Sequence, residues 1–277
     1  MTFPDRDAER ARWTASAAAW ERWADPMADL ADRINQPLLD AAGVGAGDRV
    51  LDLASGAGEP ALSAARRAVA GDDGLVVGTD LVPAMAAGAA RRAAAGGAVA
   101  SFAAADMTAL PFAGGSFSRV VCRFGIMFVP AADTALAEVR RVLRPGGTAS
   151  FMVWGPLAGN GLLRTIEEAV DSVLGPDEGP GLGPLFRYAA PGSLESAMIA
   201  AGFQAVTAAP LTPEGKARAG VPFWKAQLEM SFGTRLDGLD TDRRAAVEAA
   251  VDARFRTQAV DGIIPLPVHI RIVTGTA

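Results

Sequence analysis

The amino-acid sequence predicts an α/β protein built on a doubly wound, mostly parallel sheet of seven strands. From residue 49 onward, short apolar runs of strand length alternate with helical patterns, which is typical of a parallel sheet with helices on both faces. A glycine-rich turn directly follows the first apolar run. Of the 277 residues, 50% are hydrophobic, which is enough for the sizeable core of one large domain.

Two helices are predicted before the first strand. Trp13, Ala17, Trp20 and Ala24 recur at helical spacing, so residues 5–24 should form an amphipathic helix. A second helix is expected over 27–42.

The remaining elements follow from the period of the apolar residues. Leu136, Val139 and Leu143, for example, share one face of a predicted helix. The predicted strands cover 49–54, 75–80, 98–104, 117–122, 148–154, 203–209 and 266–273. The predicted helices that separate them cover 60–70, 83–95, 132–143, 161–174, 192–201, 221–232 and 241–257, with a Gly/Pro-rich loop at 175–184.

This order divides the chain into four segments. If the last strand pairs antiparallel to its neighbours, it starts at the sheet edge where the parallel strands end, and ligands bind at that edge. The connection before it would then cover the site. We expect an N-terminal helical lid at 1–45, a binding core at 46–209, a helical cap insertion at 210–265 and the last core strand at 266–277.

Composition excludes several classes of function. The 26 basic and 31 acidic residues give a net charge of −5 with no basic cluster, which argues against nucleic acid as a partner. Cys122 is the single cysteine and His269 the single histidine, so an intrachain disulfide, a Cys/His metal site and chemistry that needs a histidine pair or a facial metal triad are excluded. We expect no metal. The charged N-terminus and the lack of a spanning apolar run predict a cytoplasmic protein without integral membrane contact.

The segment 50–62 is the most informative part of the chain. Val50, Leu51 and Leu53 form an apolar strand, and Gly56 and Gly58 let the backbone turn tightly and approach a ligand. An acid at the end of the second strand, 22 residues after the second glycine, suits ribose hydroxyls. These features favour any adenosine cofactor.

Glu59 shifts the prediction towards a cofactor without phosphates. A negative charge at the helix start would repel the phosphates that a helix N-terminus normally attracts. S-adenosylmethionine carries a sulfonium and an ammonium instead, and these tolerate nearby carboxylates.

Four stretches together resemble the class I S-adenosylmethionine-dependent methyltransferases, in particular the group with ubiquinone/menaquinone-type and other small-molecule enzymes. They are Val-Leu-Asp-Leu-Ala-Ser-Gly-Ala-Gly at 50–58, Gly-Thr-Asp-Leu at 78–81, Ala-Asp-Met at 105–107 and Arg-Val-Leu-Arg-Pro-Gly-Gly at 141–147. The resemblance covers about 45–155 and implies a Rossmann-like methyltransferase fold, S-adenosylmethionine as cofactor and methyl transfer as activity.

The resemblance also implies roles for single residues. It assigns the methionine moiety to the glycine loop, the ribose to Asp80, the adenine flank to Leu81 and the adenine amino group to Asp106. The full set of implied cofactor residues is Asp52, Ala54, Ser55, Gly56, Gly58, Asp80, Leu81, Asp106, Met107 and Arg123. Ala54 and Ser55 depart from the residues common in the family, and neither adds bulk. In isolation Asp80 could instead be a helix cap and Asp106 a turn acid.

The acceptor side has no motif. Aromatic and sulfur-containing side chains fall in segments that should surround the cofactor, and we take them as candidates for an apolar acceptor pocket: Trp13, Trp20, Phe124, Met127, Phe128, Tyr188 and Trp224. Ordinary packing of the first helix also explains the tryptophans. Arg123 either steers an anionic or carbonyl group or pairs with a carboxylate. His269 is the one candidate general base, although methyl transfer can proceed without a base.

The sequence therefore predicts methyl transfer to an oxygen, nitrogen or carbon nucleophile of a moderately apolar small molecule. Two alternatives stay open: an NAD(P)-dependent oxidoreductase with the same glycine fingerprint, and a non-catalytic S-adenosylmethionine-binding protein. Apolar lid helices also leave open whether the protein is a monomer or a homodimer.

Overall fold

The computed structural model describes residues 5–69, 73–179 and 181–277. Three sequence predictions extend to positions outside these ranges: the lid from residue 1, the helix that ends at residue 70 and one position of the 175–184 loop.

The described residues contain nine helices that agree with the predicted periodicity. Their bounds are α1 (Arg6–Ala24), α2 (Ala28–Ala42), α3 (Ala61–Ala68), α4 (Pro83–Gly96), α5 (Ala132–Val142), α6 (Gly161–Leu174), α7 (Ser193–Ala200), α8 (Lys225–Leu236) and α9 (Thr241–Thr257). The first is capped by Asp5, whose side chain accepts from the Ala8 N–H.

Seven strands of the described chain form one sheet and two form a small separate sheet. Their bounds are β1 (Arg49–Leu53), β2 (Leu75–Asp80), β3 (Ser101–Ala104), β4 (Phe117–Arg123), β5 (Leu143–Trp154), β6 (Gln204–Leu211), β7 (Glu214–Arg218), β8 (Ile263–Pro267) and β9 (Ile270–Thr276). The large sheet has the order β3-β2-β1-β4-β5-β9-β6, and β7 pairs with β8.

The order of the large sheet determines where a ligand can bind. Strands β1 to β5 pair in parallel, whereas β9 pairs antiparallel to both β5 and β6. The chain winds outward from β1 in one direction and from β4 in the other, so the switch point lies between β1 and β4. The predicted doubly wound, mostly parallel seven-stranded sheet and its antiparallel last strand are confirmed.

Two apolar layers enclose the sheet. On one face, Leu38 and Leu39 of α2 belong to a buried cluster with Val121 of β4. On the other face, Leu136 of α5 packs in a cluster with Phe151 of β5. Because both faces are covered, the central strands are apolar on both sides, which explains their continuous hydrophobic runs.

The predicted last strand, 266–273, is wrong at its start. The structure places 263–267 in the small sheet against β7, and the core strand begins only at Ile270. The reason is proline: β9 lies between two strands, and Pro267 has no N–H to contribute to a central ladder. The predicted cap at 210–265 accordingly contains the β7–β8 pair besides α8 and α9, and β7 was missed.

The Pro145-Gly146-Gly147 turn lies at the opposite sheet edge from the candidate site. The β4–β5 register shifts between Phe117 and Arg119, so the residues of this turn form an irregularity at the start of β5.

None of the helices that the structure describes is both long and apolar enough to cross a bilayer.

Candidate functional site

The loop after β1 is shaped by unusual backbone angles. Ala54, Gly56 and Gly58 have φ values of 53°, 51° and 115°. A Cβ on Gly58 would lie 3.1 Å from Leu62 Cδ1, whereas a Cβ on Gly56 would meet no atom within 4 Å. The Ser55 side chain is buried and its hydroxyl has no partner among the described residues. The loop therefore presents bare backbone to open space at the switch point.

Asp52 lies buried beneath this loop. One carboxylate oxygen, Oδ2, accepts from the Ala61 N–H at the start of α3, at 2.8 Å. The other oxygen, Oδ1, is buried and has no partner within the described chain. Burial raises the pKa of Asp52 well above its ordinary value, and Arg123 opposes this rise only in part. A buried acceptor with spare capacity suits a ligand that carries positive charge.

Asp80 at the end of β2 holds two backbone segments together. Its Oδ2 accepts from the Gly56 N–H and its Oδ1 from the Val82 N–H, both at 2.9 Å. Burial raises the pKa of this carboxyl also. The contact with Gly56 brings the predicted ribose acid next to the predicted glycine loop.

Asp106 follows β3 and faces the same edge. Its Oδ1 accepts from both the N–H and the hydroxyl of Thr108, at 2.8 and 2.7 Å. Its Oδ2 lies 3.7 Å from a guanidinium nitrogen of Arg6 on α1. Leu81 is half-buried directly after β2, and Met107 is buried in the main core.

Glu59 and Arg123 meet in a polar network that the sequence did not reveal. The Glu59 carboxylate accepts from Asn35 Nδ2 at 2.8 Å and from Ser63 Oγ at 2.9 Å. Arg123 donates to Asn35 Oδ1 at 2.9 Å, and Arg92 approaches Glu59 at 3.9 Å. The Glu59 carboxylate is thus hydrogen-bonded and faces the positive charge of Arg92. The structure therefore gives no support to the expectation that Glu59 repels phosphates. Arg123 hydrogen-bonds the Asn35 amide and lies in the electrostatic field of Glu59 and Asp52, so both roles weighed for it stay predictions.

Aromatic side chains line the neighbouring part of the edge. Phe124 and Trp154, which follow β4 and end β5, stack at 4.3 Å with an interplanar angle of 9°. Trp13 of α1 contacts Phe128 edge-on at 4.8 Å and Trp20 at 6.2 Å. The structure therefore places three predicted pocket residues, Trp13, Trp20 and Phe128, in one aromatic cluster and the fourth, Phe124, in a stack with Trp154.

The other three predicted pocket residues lie in the main core. Met127 is fully buried, and Tyr188 and Trp224 are 6% and 4% exposed. Burial also raises the pKa of Tyr188. A contact of these three with an acceptor stays a prediction.

Comparison with known proteins identifies the domain. Residues 50–147, which contain the loop, Asp80 and Asp106, match the methyltransferase domain family. The matched segment runs from β1 to the first residues of β5. This match supports the resemblance predicted over 45–155. The enzyme class, S-adenosylmethionine-dependent methyltransferase, and the cofactor of that class belong to the proposed function.

Two sequence relatives match about half of this chain or less. An uncharacterised protein of Mycobacterium tuberculosis is 38% identical over 146 residues, which are 51% of this chain and 52% of that protein. A demethylmenaquinone methyltransferase of Thermus thermophilus is 42% identical over 108 residues, 39% of this chain and 48% of the relative. The matched part thus spans about half the length of these curated relatives.

The fold similarity extends further along the chain. Haemonchus contortus phosphoethanolamine N-methyltransferase 2, solved in complex with S-adenosyl-L-methionine, aligns with a TM-score of 0.55 and 19% identity. The alignment covers 88% of this chain and 52% of that protein. At this identity the similarity shows the fold alone.

The residues around the loop fit the cofactor of the methyltransferase class. The cradle at Gly56 is open where a Cβ would project, and Asp52 Oδ1 and Ser55 Oγ are buried polar atoms without partners in the described chain. Carboxylates face this space from β1 and β2, as a cationic cofactor requires. The residue-by-residue assignment stays a proposal.

His269 lies at the break between β8 and β9, next to the end of β5. Its backbone N–H donates to Asn160 Oδ1 at 3.0 Å, and its carbonyl accepts from the Gly155 N–H at 2.8 Å. A Cβ on Gly155 would lie 2.5 Å from the imidazole ring, and one on Gly159 would lie 2.8 Å from the His269 Cβ. The ring packs on glycines at the expected sheet edge, and its role as a general base stays a prediction.

The N-terminal helix α1 is tied to the methyltransferase domain and to the cap. Glu229 of α8 is 8% exposed and accepts from Arg22 at 3.1 Å and from Trp23 Nε1 at 2.8 Å. Trp13, Ala17 and Trp20 pack against Val82 and Met85 after β2. Helix α1 therefore lies near Asp106, which follows β3, and Phe128, which follows β4, and its role as a lid stays a prediction.

Cys122 should not react in the folded protein. It lies in β4 fully buried, and burial raises the pKa of its thiol to about 12. A thiol reagent at pH 8 should leave the native protein unlabelled and modify one site after unfolding in guanidinium, because the chain has one cysteine. Stoichiometric labelling of native protein would contradict this placement of β4.

Asp52→Asn should stabilise the ligand-free protein increasingly as pH rises. The folded pKa of Asp52 lies above its ordinary value of 3.8, so the native state holds a proton that the unfolded state releases, and stability falls as pH rises through that interval. Burial is the largest cause of this rise in pKa; Glu59 and Asp80 add to it, and the Ala61 N–H and Arg123 oppose it. The melting temperature of the variant should exceed that of wild type by about 2 °C or more at pH 8.

The same comparison at pH 4 is the control for Asp52. There the difference in melting temperature should shrink towards zero, because the wild-type carboxyl is protonated in the folded state. A difference that does not change with pH would show that Asp52 is not strained by its burial. The variant should also bind S-adenosylmethionine more weakly, since it lacks the carboxylate.

Proposed function

We propose that this protein transfers a methyl group from S-adenosylmethionine to an oxygen, nitrogen or carbon nucleophile of a moderately apolar small molecule. One observation supports this most strongly. At the carboxyl edge of the sheet, Asp80 bonds the glycine loop. Helix α1 contacts Asp106 through Arg6 and the aromatic ring of Phe128 through Trp13. A cofactor side and an acceptor side therefore adjoin at the switch point.

Asp80 and Asp106 can each be matched to a part of the cofactor by the hydrogen bonds that their free oxygen lone pairs could accept. Asp80 still has lone pairs for ribose hydroxyls after accepting from Gly56 and Val82, since each carboxylate oxygen accepts twice. Asp106 Oδ2 is available for an amino donor once Arg6 moves, because their 3.7 Å ion pair is exposed on the Arg6 side.

The reaction needs alignment more than proton transfer. When bound, S-adenosylmethionine supplies an electrophilic methyl group on a sulfonium. The lid residues Trp13 and Trp20 exclude water, and the strand ends position the acceptor; such positioning contributes up to ~7 to 11 kcal/mol to a rate. His269, beside the end of β5, is the one imidazole that could take a proton from a weakly acidic acceptor.

The acceptor side favours an apolar molecule with a hydrogen-bond acceptor. Trp13, Phe128 and Phe124 offer aromatic surface. Arg12 Nε and Trp20 Nε1, both on α1, are buried N–H donors that have no hydrogen-bond partner within the described chain. A carbonyl or phenolic oxygen would satisfy them. The naming of one relative as a demethylmenaquinone methyltransferase supports placing quinols among the candidates.

The test is transfer of a labelled methyl group. The purified protein is incubated with methyl-labelled S-adenosylmethionine and separate panels of quinols, phenols, amines and lipids, and products are identified by mass spectrometry. We expect saturable cofactor binding and a methylated product from an apolar panel. Absence of saturable cofactor binding, or NAD binding with hydride transfer, would overturn the proposal. Binding without turnover on any panel would favour the non-catalytic alternative.

The remaining expectations concern the setting of the protein. We propose a cytoplasmic location, because its one cysteine is buried and unpaired. We also propose that it acts without nucleic acid and as a monomer or homodimer. Size-exclusion chromatography with light scattering decides the oligomeric state, and salt-sensitive RNA binding would contradict the second point.

A further inference from the structure

Arg92 on α4 contacts the residue that follows α1 and two residues of the loop after β1. Its Nε donates to Asp25 Oδ1 at 2.7 Å, and Asp25 directly follows the last residue of α1. One terminal nitrogen, Nη1, donates to the carbonyl oxygen of Ala57, and the other, Nη2, lies 3.9 Å from Glu59 Oε1. The Arg92 side chain is 11% exposed. One guanidinium thus joins the lid helix to the glycine loop.

The position of Ala57 gives this contact its importance. Ala57 lies between Gly56 and Gly58, so its carbonyl orientation sets how the loop faces the open cradle. Few other side chains could make these contacts, because only a planar fork donates in several fixed directions at once. Glu59 in turn accepts a hydrogen bond from Asn35, and Asn35 accepts one from Arg123 at the end of β4.

The neighbouring residue provides an internal comparison. Arg91 also pairs with α1, through Glu21 at 2.6 Å, but this pair is exposed on both sides and does not touch the loop. Arg91 and Arg92 therefore share the helix, the charge and the partner helix. They differ in the contact with the cofactor loop.

We propose that Arg92 is a positioning residue for S-adenosylmethionine, which holds the 56–58 loop in its binding shape and couples cofactor binding to closure of α1. The inference rests on the proposed function. Such coupling is reciprocal: if the ordered loop favours a docked α1, then a docked α1 favours cofactor binding by the same factor. The positioning acts through Ala57 and Asp25, so Arg92 needs no contact with the reacting atoms.

The experiment compares Arg92→Met with Arg91→Met in the full-length protein. Cofactor affinity is measured by calorimetry, stability by thermal melting, and α1 docking by hydrogen exchange with and without S-adenosylmethionine. We expect Arg92→Met to weaken cofactor binding by about 10-fold, in the usual range of coupling, and to lose most of the cofactor-induced protection of α1. Arg91→Met should bind within about 2-fold of wild type, as exposed pairs contribute little.

Two further variants keep the test decisive. Arg92→Lys retains the charge without the fork and should bind more weakly than wild type and more tightly than Arg92→Met. Asp25→Ala removes only the contact of Arg92 with the residue after α1, and because the Asp25 side chain is 82% exposed, folding is not in question. It should reduce the protection of α1 by the cofactor while leaving the loop contact intact.

The outcomes separate this inference from the proposed function. Equal cofactor affinity in Arg92→Met and Arg91→Met, with wild type binding normally, overturns the positioning role. If Arg92→Met does not fold, wild-type affinity in Arg92→Lys and unchanged α1 protection in Asp25→Ala overturn it instead. Lack of binding by wild type itself is a failure of the proposed function.

Discussion

Replacing Asp80 with alanine should weaken S-adenosylmethionine binding by about 100-fold, as expected when hydrogen bonds of a charged group worth ~1.5 to 3 kcal/mol each are lost. The substitution removes the acceptor proposed for the ribose hydroxyls. It also releases the Gly56 N–H, which Asp80 Oδ2 holds at 2.9 Å, so the loop loses its fixed distance from β2. Calorimetric titration of the cofactor measures the effect directly.

Asp48→Ala is the matched control for Asp80→Ala. Asp48 also accepts from a backbone N–H, that of Gly45 at 2.9 Å, and from Ser118 Oγ at 2.7 Å, but at the opposite end of β1. Both variants should lose stability, whereas only Asp80→Ala should lose affinity. Equal losses of affinity would mean that the Asp80 effect comes from general destabilisation. Asp80→Asn, which keeps one oxygen acceptor, should fall between wild type and alanine.

The fold was predictable because its signals are local. Apolar runs such as Val50 to Leu53 are buried on both faces, and amphipathic helices such as α5 bury one stripe, so each element is visible within its own residues. The start of the last strand was misplaced because it depends on which strands lie beside it in the sheet. Only the position of β9 between β5 and β6 makes Pro267 intolerable in it.

The cofactor side of the site was predictable for a similar reason. The ends of β1, β2 and β3 meet at one edge in any parallel sheet, so Gly56, Asp80 and Asp106 could be placed together before their contacts were known. The contact between Asp80 and Gly56 confirms this placement for two of the three residues, and their roles toward a cofactor stay predictions.

Asn35 and Arg92 were missed because no local pattern marks them. Asn35 is fully buried on α2 and bonds Arg123, 88 positions along the chain. Such contacts depend on how a helix packs against a strand end or a loop that is distant in sequence, which periodicity does not specify. Trp154 did have a signal: it ends the strand next to that of Phe124, and residues at the ends of adjacent parallel strands are neighbours.

Gly56→Ala should abolish cofactor binding in a protein that still folds. Gly56 has a φ of 51°, and a Cβ there would meet no protein atom within 4 Å, so the cost to folding is backbone strain of about 1 to 2 kcal/mol. If the open cradle is where the methionine moiety lies, the new methyl group takes the space of the cofactor instead. We expect at least about 100-fold weaker binding, since a bound ligand offers no room for overlap.

Gly97→Ala isolates the steric effect from the strain. Gly97 follows α4 with a φ of 65° and also has no atom within 4 Å of a built Cβ, so its strain matches that of Gly56 in a place remote from the loop. The two variants should melt at similar temperatures, and only Gly56→Ala should fail to bind S-adenosylmethionine. Wild-type affinity in Gly56→Ala would mean that the space before this loop is not where the cofactor lies, because a methyl group cannot share it with a ligand.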